Sequence, residues 1–406
     1  MISVPNRPLP LNGNRVIAII FICLIYGFAC PNLSYAAVKL LNSSKNKIFD
    51  TSKVSTISLL LPFGTDHLQA SSPFTPGRLK ETSIAVDYYN GFKLALDSIT
   101  SLGYNFKLQV FDTKDQVVTT KLLAQNANIK SGNLVVGPVF PDGIKSFTFN
   151  FMKTSSPRVV SPLSASSPTN YKYSGLITVI PPLEYHAVAS AKYINDKLKP
   201  TKIYILKSGS TDEIDYIKPF SKAVDSLSGK QTQIIALTVI NGQLNSLLPQ
   251  LSKTDQNIFV VPSIDHHFLN VTLNALDSLN LVYPVAVIGH PSWVNLDFLR
   301  GEQLQRINTL ITSTDLVDYK ALNTINFLKL YKKTYKLEAT PYAIKGYDEG
   351  LYFGKLLATR GLDNIGEIDF TGLHNSFHFQ KIEGYGWVNT HVEILKYVNF
   401  ELKKVE

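Results

Sequence analysis

The chain has 406 residues, 45% of them hydrophobic, and carries 40 Lys and Arg against 31 Asp and Glu, a formal charge of +9. This length and apolar share suit a globular protein of two ordinary domains and exclude a disordered or collagen-like chain. No block of like charges occurs, and lysines such as Lys329, Lys332, Lys333 and Lys336 are scattered along an expected helix, so no nucleic-acid partner is expected.

The only two cysteines, Cys23 and Cys30, belong to an N-terminal apolar stretch that begins at Val16. Arg15 precedes it and the small-residue site Ser34-Tyr35-Ala36 follows. A basic residue, about 14 apolar residues and a small-x-small site describe a secretory signal peptide. The run is shorter than the roughly 20 residues a membrane span needs. Cleavage after Ala36 gives an exported chain from Ala37 with no cysteine, and loss of Arg7 and Arg15 leaves +7. Such a chain folds without disulfides and has no thiolate for catalysis or metal binding. A second reading rests on Gly27-Phe28-Ala29, which loosely resembles a lipoprotein cleavage site before Cys30. An uncleaved anchor is the third.

Residues 37–53 read as a polar, flexible leader. Ile57–Phe63 is a continuous apolar run, the pattern of a strand buried on both faces of a parallel sheet. After a Ser/Pro loop, Val86–Thr100 reads as a helix with Phe92, Ala95, Leu96 and Ile99 on one stripe, closed by Gly103. The unit repeats. Phe106–Phe111, Leu134–Gly137 and Arg158–Ser161 read as strands, with helices over Val117–Ile129 and Gly143–Met152. After Pro181-Pro182 the rhythm restarts. Helices are expected at Glu184–Lys197, Ile214–Leu227, Leu244–Leu251 and Phe268–Leu279. Strands are expected at Lys202–Leu206, Gln233–Val239, Ile258–Val261 and Val285–Gly289. Two series of βα units imply two doubly wound α/β lobes. Thr309–Ser313 reads as a short strand, Asn323–Tyr335 and Gly346–Thr359 as helices, and Phe377–Phe379 and Val392–Val398 as late strands around a Gly384-Tyr385-Gly386 turn. This remainder is too small for a third lobe and is expected to cross back between the two.

Several chemistries are missing from the sequence. No Gly-x-Gly-x-x-Gly follows the first strand, and neither a P-loop nor a Gly-x-Ser-x-Gly elbow is present. His266-His267 and the pair His374 and His378 read as structural or solvent-facing rather than as metal ligands. Asp112, Asp115, Asp142 and Asp265 fall at strand ends, where acid/base work, ligand contact and helix capping are all open.

Taken in order, Tyr89-Asn90-Gly91-Phe92, Val110-Phe111-Asp112-Thr113, Val135-Val136-Gly137-Pro138 and Val160-Ser161-Pro162-Leu163-Ser164 resemble the type 1 periplasmic binding proteins, which include branched-chain amino-acid receptors of ABC transporters. Phe327 with Tyr331, Pro341-Tyr342-Ala343, Gly346-Tyr347-Asp348 and Phe370-Thr371-Gly372 extend the likeness over about residues 54–403. No single motif is specific; their order carries it. The resemblance implies two Rossmann-like lobes joined by three hinge crossings. Lobe 1 is expected at 54–178, lobe 2 at 179–306, the rest of lobe 1 at 307–368, and the completion of lobe 2 with the C-terminal strands at 369–406.

Open α/β sheets bind ligands at the carboxyl ends of their strands. The candidate ligand residues are therefore Gly137, Ser161, Ser164, Tyr185, Asp265 and His290. Ser161 and Ser164 match the segment with which such receptors hold a carboxylate, and Tyr185 the position of a cleft aromatic. Asp265 either holds a ligand ammonium or caps the helix near Phe268. The function implied is extracytoplasmic binding of a small polar ligand, an amino acid or similar, for ABC-type uptake with a membrane permease. It is not an enzyme and needs no cofactor. The alternative is a non-catalytic envelope scaffold or regulator that partners an envelope enzyme; a catalyst on the same frame is a third reading.

Overall fold

A computed structural model of the chain describes residues 53–65, 76–151 and 157–405. Both processing readings and nearly all of the leader lie outside them. Chain order begins β1 (Val54–Leu61), α1 (Pro76–Thr100), β2 (Asn105–Asp112), α2 (Val117–Leu123), α3 (Ala127–Lys130), β3 (Leu134–Val136), α4 (Pro141–Thr148), β4 (Arg158–Ser161) and β5 (Leu176–Thr178). It continues α5 (Leu183–Tyr193), β6 (Lys202–Lys207), α6 (Ile214–Leu227), β7 (Gln233–Thr238), β8 (Asn257–Val261), α7 (His266–Leu279), β9 (Val285–Gly289), α8 (Gly301–Arg306) and β10 (Leu310–Ser313). It closes with α9 (Leu322–Tyr335), α10 (Pro341–Thr359), β11 (Phe370–Thr371), β12 (Ser376–Phe377), β13 (Phe379–Ile382), β14 (Gly386–Asn389), β15 (Glu393–Val398) and β16 (Glu401–Lys404).

Two seven-stranded sheets result, ordered β13-β14-β5-β4-β3-β1-β2 and β16-β15-β10-β9-β8-β6-β7. Five strands of each sheet run parallel in the same order, β5-β4-β3-β1-β2 and β10-β9-β8-β6-β7, with β14 a sixth parallel strand in sheet 1, and each sheet has a switch point beside its first strand. The central strands are largely apolar because both faces are covered. Successive side chains leave a strand on opposite faces. Phe259, Val261, Val285 and Val287 accordingly enter one core, while Ile258, Val260, Ala286 and Ile288 enter the other. Sheet 1 divides the same way, with Leu59 and Val136 against Leu60 and Val135. In lobe 1, α10 crosses α1 at close range through glycines. A Cβ on Gly346 would lie 2.2 Å from the Tyr88 carbonyl oxygen.

Several expectations change. The helix expected over Val117–Ile129 is two helices, because Asn126 accepts the Asn128 amide and caps a new start. Leu244–Leu251 is a 3₁₀ turn, Asn245–Gln250, with Pro249 inside it. The first helix begins at Pro76, ten residues before Val86. Strands β5 and β14, unforeseen, pair in parallel with each other. Strand pairing also redraws the expected lobe boundaries. β10 belongs to sheet 2, so lobe 2 runs past residue 306, and β13 and β14 belong to sheet 1, so 369–406 is shared between the lobes.

Three crossings join the lobes, and their ends locate the site. The first runs from Thr178, at the carboxyl end of β5, to the start of α5. Since α5 leads into the amino end of β6, its own first turn lies at the carboxyl edge of sheet 2. The second leaves Ser313 at the carboxyl end of β10. The third runs from Asn389, ending β14, to Glu393, which pairs with Ser313. The carboxyl edges of the two sheets are thus tied together by short segments.

Candidate functional site

On the rim of sheet 1, Gly137 follows β3 with φ of 98° and donates its amide to Val160 O at 2.9 Å. A Cβ here would lie 2.2 Å from Leu60 O, so only glycine lets this loop lie against β1. Ser161 ends β4 fully buried, its hydroxyl donating to Ser164 O at 3.5 Å. Ser164 is buried too, with its Oγ 2.8 Å from Ser166 Oγ. Beside these loops, at the carboxyl ends of β2 and β3, a cavity of about 320 Å³ is lined by Thr113, Gln116, Pro138, Phe140 and Asp142. Asp115 also lines it, and burial, with Glu81 and Asp142 nearby, pushes its carboxyl up. Asp112 stands apart as a loop clamp, accepting from the amides of Gly64, Thr65 and Lys114. Burial opposes its charge, but these donors and the Thr65 hydroxyl hold its carboxyl low.

On the rim of sheet 2, Tyr185 sits half-buried in the first turn of α5, and burial pushes its hydroxyl up. The next residue, His186, is buried with Nδ1 3.0 Å from Thr312 Oγ1 of β10. His290 follows β9, and its Nδ1 accepts the Ser292 amide at 3.1 Å. Its ring packs 6.1 Å from Tyr216 of α6, whose hydroxyl donates to Ser190 at 2.8 Å. Burial lowers both imidazoles to about 4. His290 adds to the effect on His186 while Asp315 opposes it, and Asp212 opposes the effect on His290. Both rings are therefore neutral near pH 7. Asp265 is exposed and caps α7, accepting the Phe268 amide at 2.6 Å. Trp293 is anchored through Nε1 to Ser263 O at 2.9 Å.

The structure therefore places Gly137, Ser161 and Ser164 on one rim, and Tyr185, Asp265 and His290 on the other. Sequence reasoning passed over His186, although a histidine among Ala187, Ser190 and Ala191 on a helix's buried side is a visible signal. It also passed over the knot where the second crossing meets lobe 1. There Asp348 of α10 accepts the amides of Leu373 and His374 and faces His374 Nδ1 at 2.5 Å. Asp315 of the crossing meets Lys345 Nζ at 2.7 Å, and the Leu316 amide reaches His374 O. Among the described residues, no group of three or more His, Cys, Asp or Glu is placed to hold a metal ion. What the two rims offer is hydrogen bonding: hydroxyls and backbone amides on one side, neutral imidazoles on the other.

Two seven-stranded α/β lobes with their carboxyl edges joined by three crossings make the type 1 periplasmic binding protein fold. No family model and no curated protein matches the chain. Among solved structures, a putative branched-chain amino acid ABC transporter protein from Rhodospirillum rubrum is similar at 13% identity and a TM-score of 0.62, over 87% of this chain and 100% of that one. An ABC transporter substrate-binding protein from Desulfitobacterium hafniense, in complex with Leu, is similar at 15% identity and 0.55, with the same coverage. So is the LpoA C-domain from Haemophilus influenzae, a regulator of PBP1A, at 13% and 0.58.

Proposed function

We propose that the protein is an extracytoplasmic solute-binding protein that closes its two lobes on a small polar ligand, an amino acid or similar, and presents it to an ABC-type membrane permease. One observation carries this reading. The crossings tie together the carboxyl edges of two sheets, so the loops that bind ligands in open α/β folds share one cleft. Rotation about short crossings is the usual way such lobes close. Ser161 and Ser164 take the ligand's carboxylate, with backbone amides of the same loop, and Tyr185 lines the opposite wall. We assign it no catalytic step. Export follows from cleavage after Ala36; the alternative is acylation at Cys30 and a membrane-tethered protein.

A second reading is supported by the LpoA C-domain, similar at a TM-score between those of the two transport proteins. On that reading the lobes dock an envelope enzyme and bind no solute.

A thermal-shift screen of the mature protein against the amino acids and small carboxylates separates the two, because a ligand that binds only the folded state raises its melting temperature by mass action. A saturable rise supports solute binding. No rise with any compound, nor with native extract, supports the scaffold. Intact mass of protein from its own host distinguishes a chain starting at Ala37 from one lipidated at Cys30.

A further inference from the structure

Four carboxylates on the rim of sheet 2 already have partners. Asp212 accepts from the Ser210 hydroxyl. Glu213, buried, closes its own loop by accepting the Ser208 amide and hydroxyl at 2.9 and 2.8 Å. Asp265 is held by its cap and Asp315 by Lys345. The two imidazoles are different. Nδ1 of each is tied to a neighbour, and Nε2 of neither has a hydrogen-bond partner among the described residues. His290 is also fixed in its tautomer. Nδ1 accepts an amide proton, so in the neutral ring the proton sits on Nε2 and that atom can only donate. The ring is held by Tyr216, which is held by Ser190, one helical turn after His186. Helix α5, helix α6 and the end of β9 thus converge on one donor-bearing surface at the carboxyl edge of sheet 2.

We propose that His186 and His290 form the lobe 2 half of the ligand site, and that they read a second hydrogen-bond acceptor on the ligand, a carboxylate or carbonyl group, rather than an ammonium. This rests on the solute-binding reading and narrows it. The ligand class becomes small molecules with acceptor groups at both ends, such as dicarboxylates or amino acids with acidic or amide side chains. An ammonium would require an acceptor, and the His290 Nε2, which only donates in the neutral ring, cannot supply one. A ligand carboxylate on Nε2 favours the charged imidazole, so binding should draw a proton from solvent in mildly acid solution. The groups facing the pair are Asp212 beside His290, Asp315 beside His186, and Tyr216 between α6 and His290.

The test is calorimetric titration of the mature protein with succinate, L-aspartate and L-glutamine as two-acceptor probes, and with L-leucine and L-valine as controls. Titrations are run at pH 7.5 and 5.5, the latter in two buffers of different ionisation enthalpy. The expected result is a two-acceptor probe binding at least tenfold tighter than either control, with affinity rising toward pH 5.5; if the tightest probe is an anion, it takes up protons there. His290→Asn keeps an acceptor for the Ser292 amide but withdraws Nε2, and His186→Gln is its companion. Each should weaken that probe tenfold or more with the melting temperature at pH 7.5 unchanged. Leucine or valine binding as tightly as any two-acceptor probe overturns the inference while solute binding stands. So does an anionic probe that binds the unmodified protein without proton uptake, a measurement independent of whether the variants fold. Absence of binding by all these probes and by every compound of the thermal-shift screen overturns solute binding itself, and the inference with it.

Discussion

His374 Nδ1 lies 2.5 Å from a carboxylate oxygen of Asp348, with both side chains 1% exposed. The pair fastens the turn between β11 and β12 to α10, and the same turn receives the Leu316 amide from the second crossing. Asp348 also accepts two backbone amides, so its removal orphans three buried donors at once. Leaving a buried donor without its acceptor costs about 1–3 kcal/mol. Asp348→Ala should lose about that much, read as a lower urea midpoint with an unchanged slope. A loss under 1 kcal/mol would mean that the knot contributes little to holding the lobes.

Acid should destabilise the protein through the histidine pair. Burial lowers His186 and His290 from 6.5 to about 4, so the unfolded chain binds more protons than the folded one between those values. Their contribution is complete above pH 6.5 and is lost as pH falls toward 4, on the order of 1–2 kcal/mol per ring between pH 7 and 5. Urea unfolding across this range should show the decline, and His186→Gln with His290→Asn should flatten it. Equal slopes in variant and parent would assign the acid limb to other groups.

The alkaline side is governed by Glu349, a fully buried carboxyl that accepts the Tyr88 hydroxyl at 2.8 Å and whose Oε1 has no partner among the described residues. Burial pushes it well above the usual range, with the Tyr88 bond and Lys345 pulling back. Here the folded chain holds the extra proton. The contribution is present at low pH and is lost as pH rises from 4.5 through the raised value. Glu349→Gln keeps the shape and removes the ionisation, so it should exceed the parent in stability by about 1–3 kcal/mol at pH 8.5, narrowing toward pH 5. A variant less stable than the parent at every pH would show that the carboxyl is needed for more than its volume.

How much of this could be read from the sequence depended on whether the signal was local. β1, β3, β8 and β9 were legible because a strand covered on both faces carries a continuous apolar run. β5 has three residues and β14 four, and both exist because they pair with each other, Trp387 with Ile177 and Val388 with Thr178, far apart in the chain. The assignment of β10 to sheet 2 rests likewise on its pairing with β9 and β15. Gly137, the two serines and His290 were legible as residues just beyond strand ends. Asp265 was legible only as far as two options, of which the structure shows the cap. Asp348 and His374 are 26 residues apart, and nothing in either neighbourhood announces the other.

Packing of α10 on α1 should tolerate no added methyl at the contact. A Cβ on Gly346 would meet the Tyr88 carbonyl oxygen at 2.2 Å, and one on Gly91 the Ala343 oxygen at 1.9 Å. Backbone cannot yield as a flexible side chain can. Gly346→Ala should therefore cost about 1–3 kcal/mol or more through overpacking, despite alanine's better helix propensity. Gly77, early in α1 with nothing within 4 Å of its virtual Cβ, is the control: Gly77→Ala should be neutral or gain up to about 1 kcal/mol. Equal effects at the two sites would mean that the helices slide apart at little cost.

The lobe 1 serines give the last prediction, for which the proposed ligand site must hold. Ser161 is fully buried and its hydroxyl has one long bond, 3.5 Å to Ser164 O, so it can be re-aimed toward a ligand at small cost. Ser164 exchanges a bond with Ser166 and lies within hydrogen-bond reach of Tyr171. Ser161→Ala with Ser164→Ala should weaken ligand binding by about 1–3 kcal/mol, the range for leaving a polar group unsatisfied. The melting temperature without ligand should change little, because these bonds are loop-internal and the removed atoms are small. Both quantities follow from one set of calorimetric titrations and one melting curve, using whichever compound the thermal-shift screen identifies. A double variant that binds at parental strength would move the ligand off this loop, whereas one that binds weakly but also melts much lower would make the serines structural posts of β4 rather than ligand contacts.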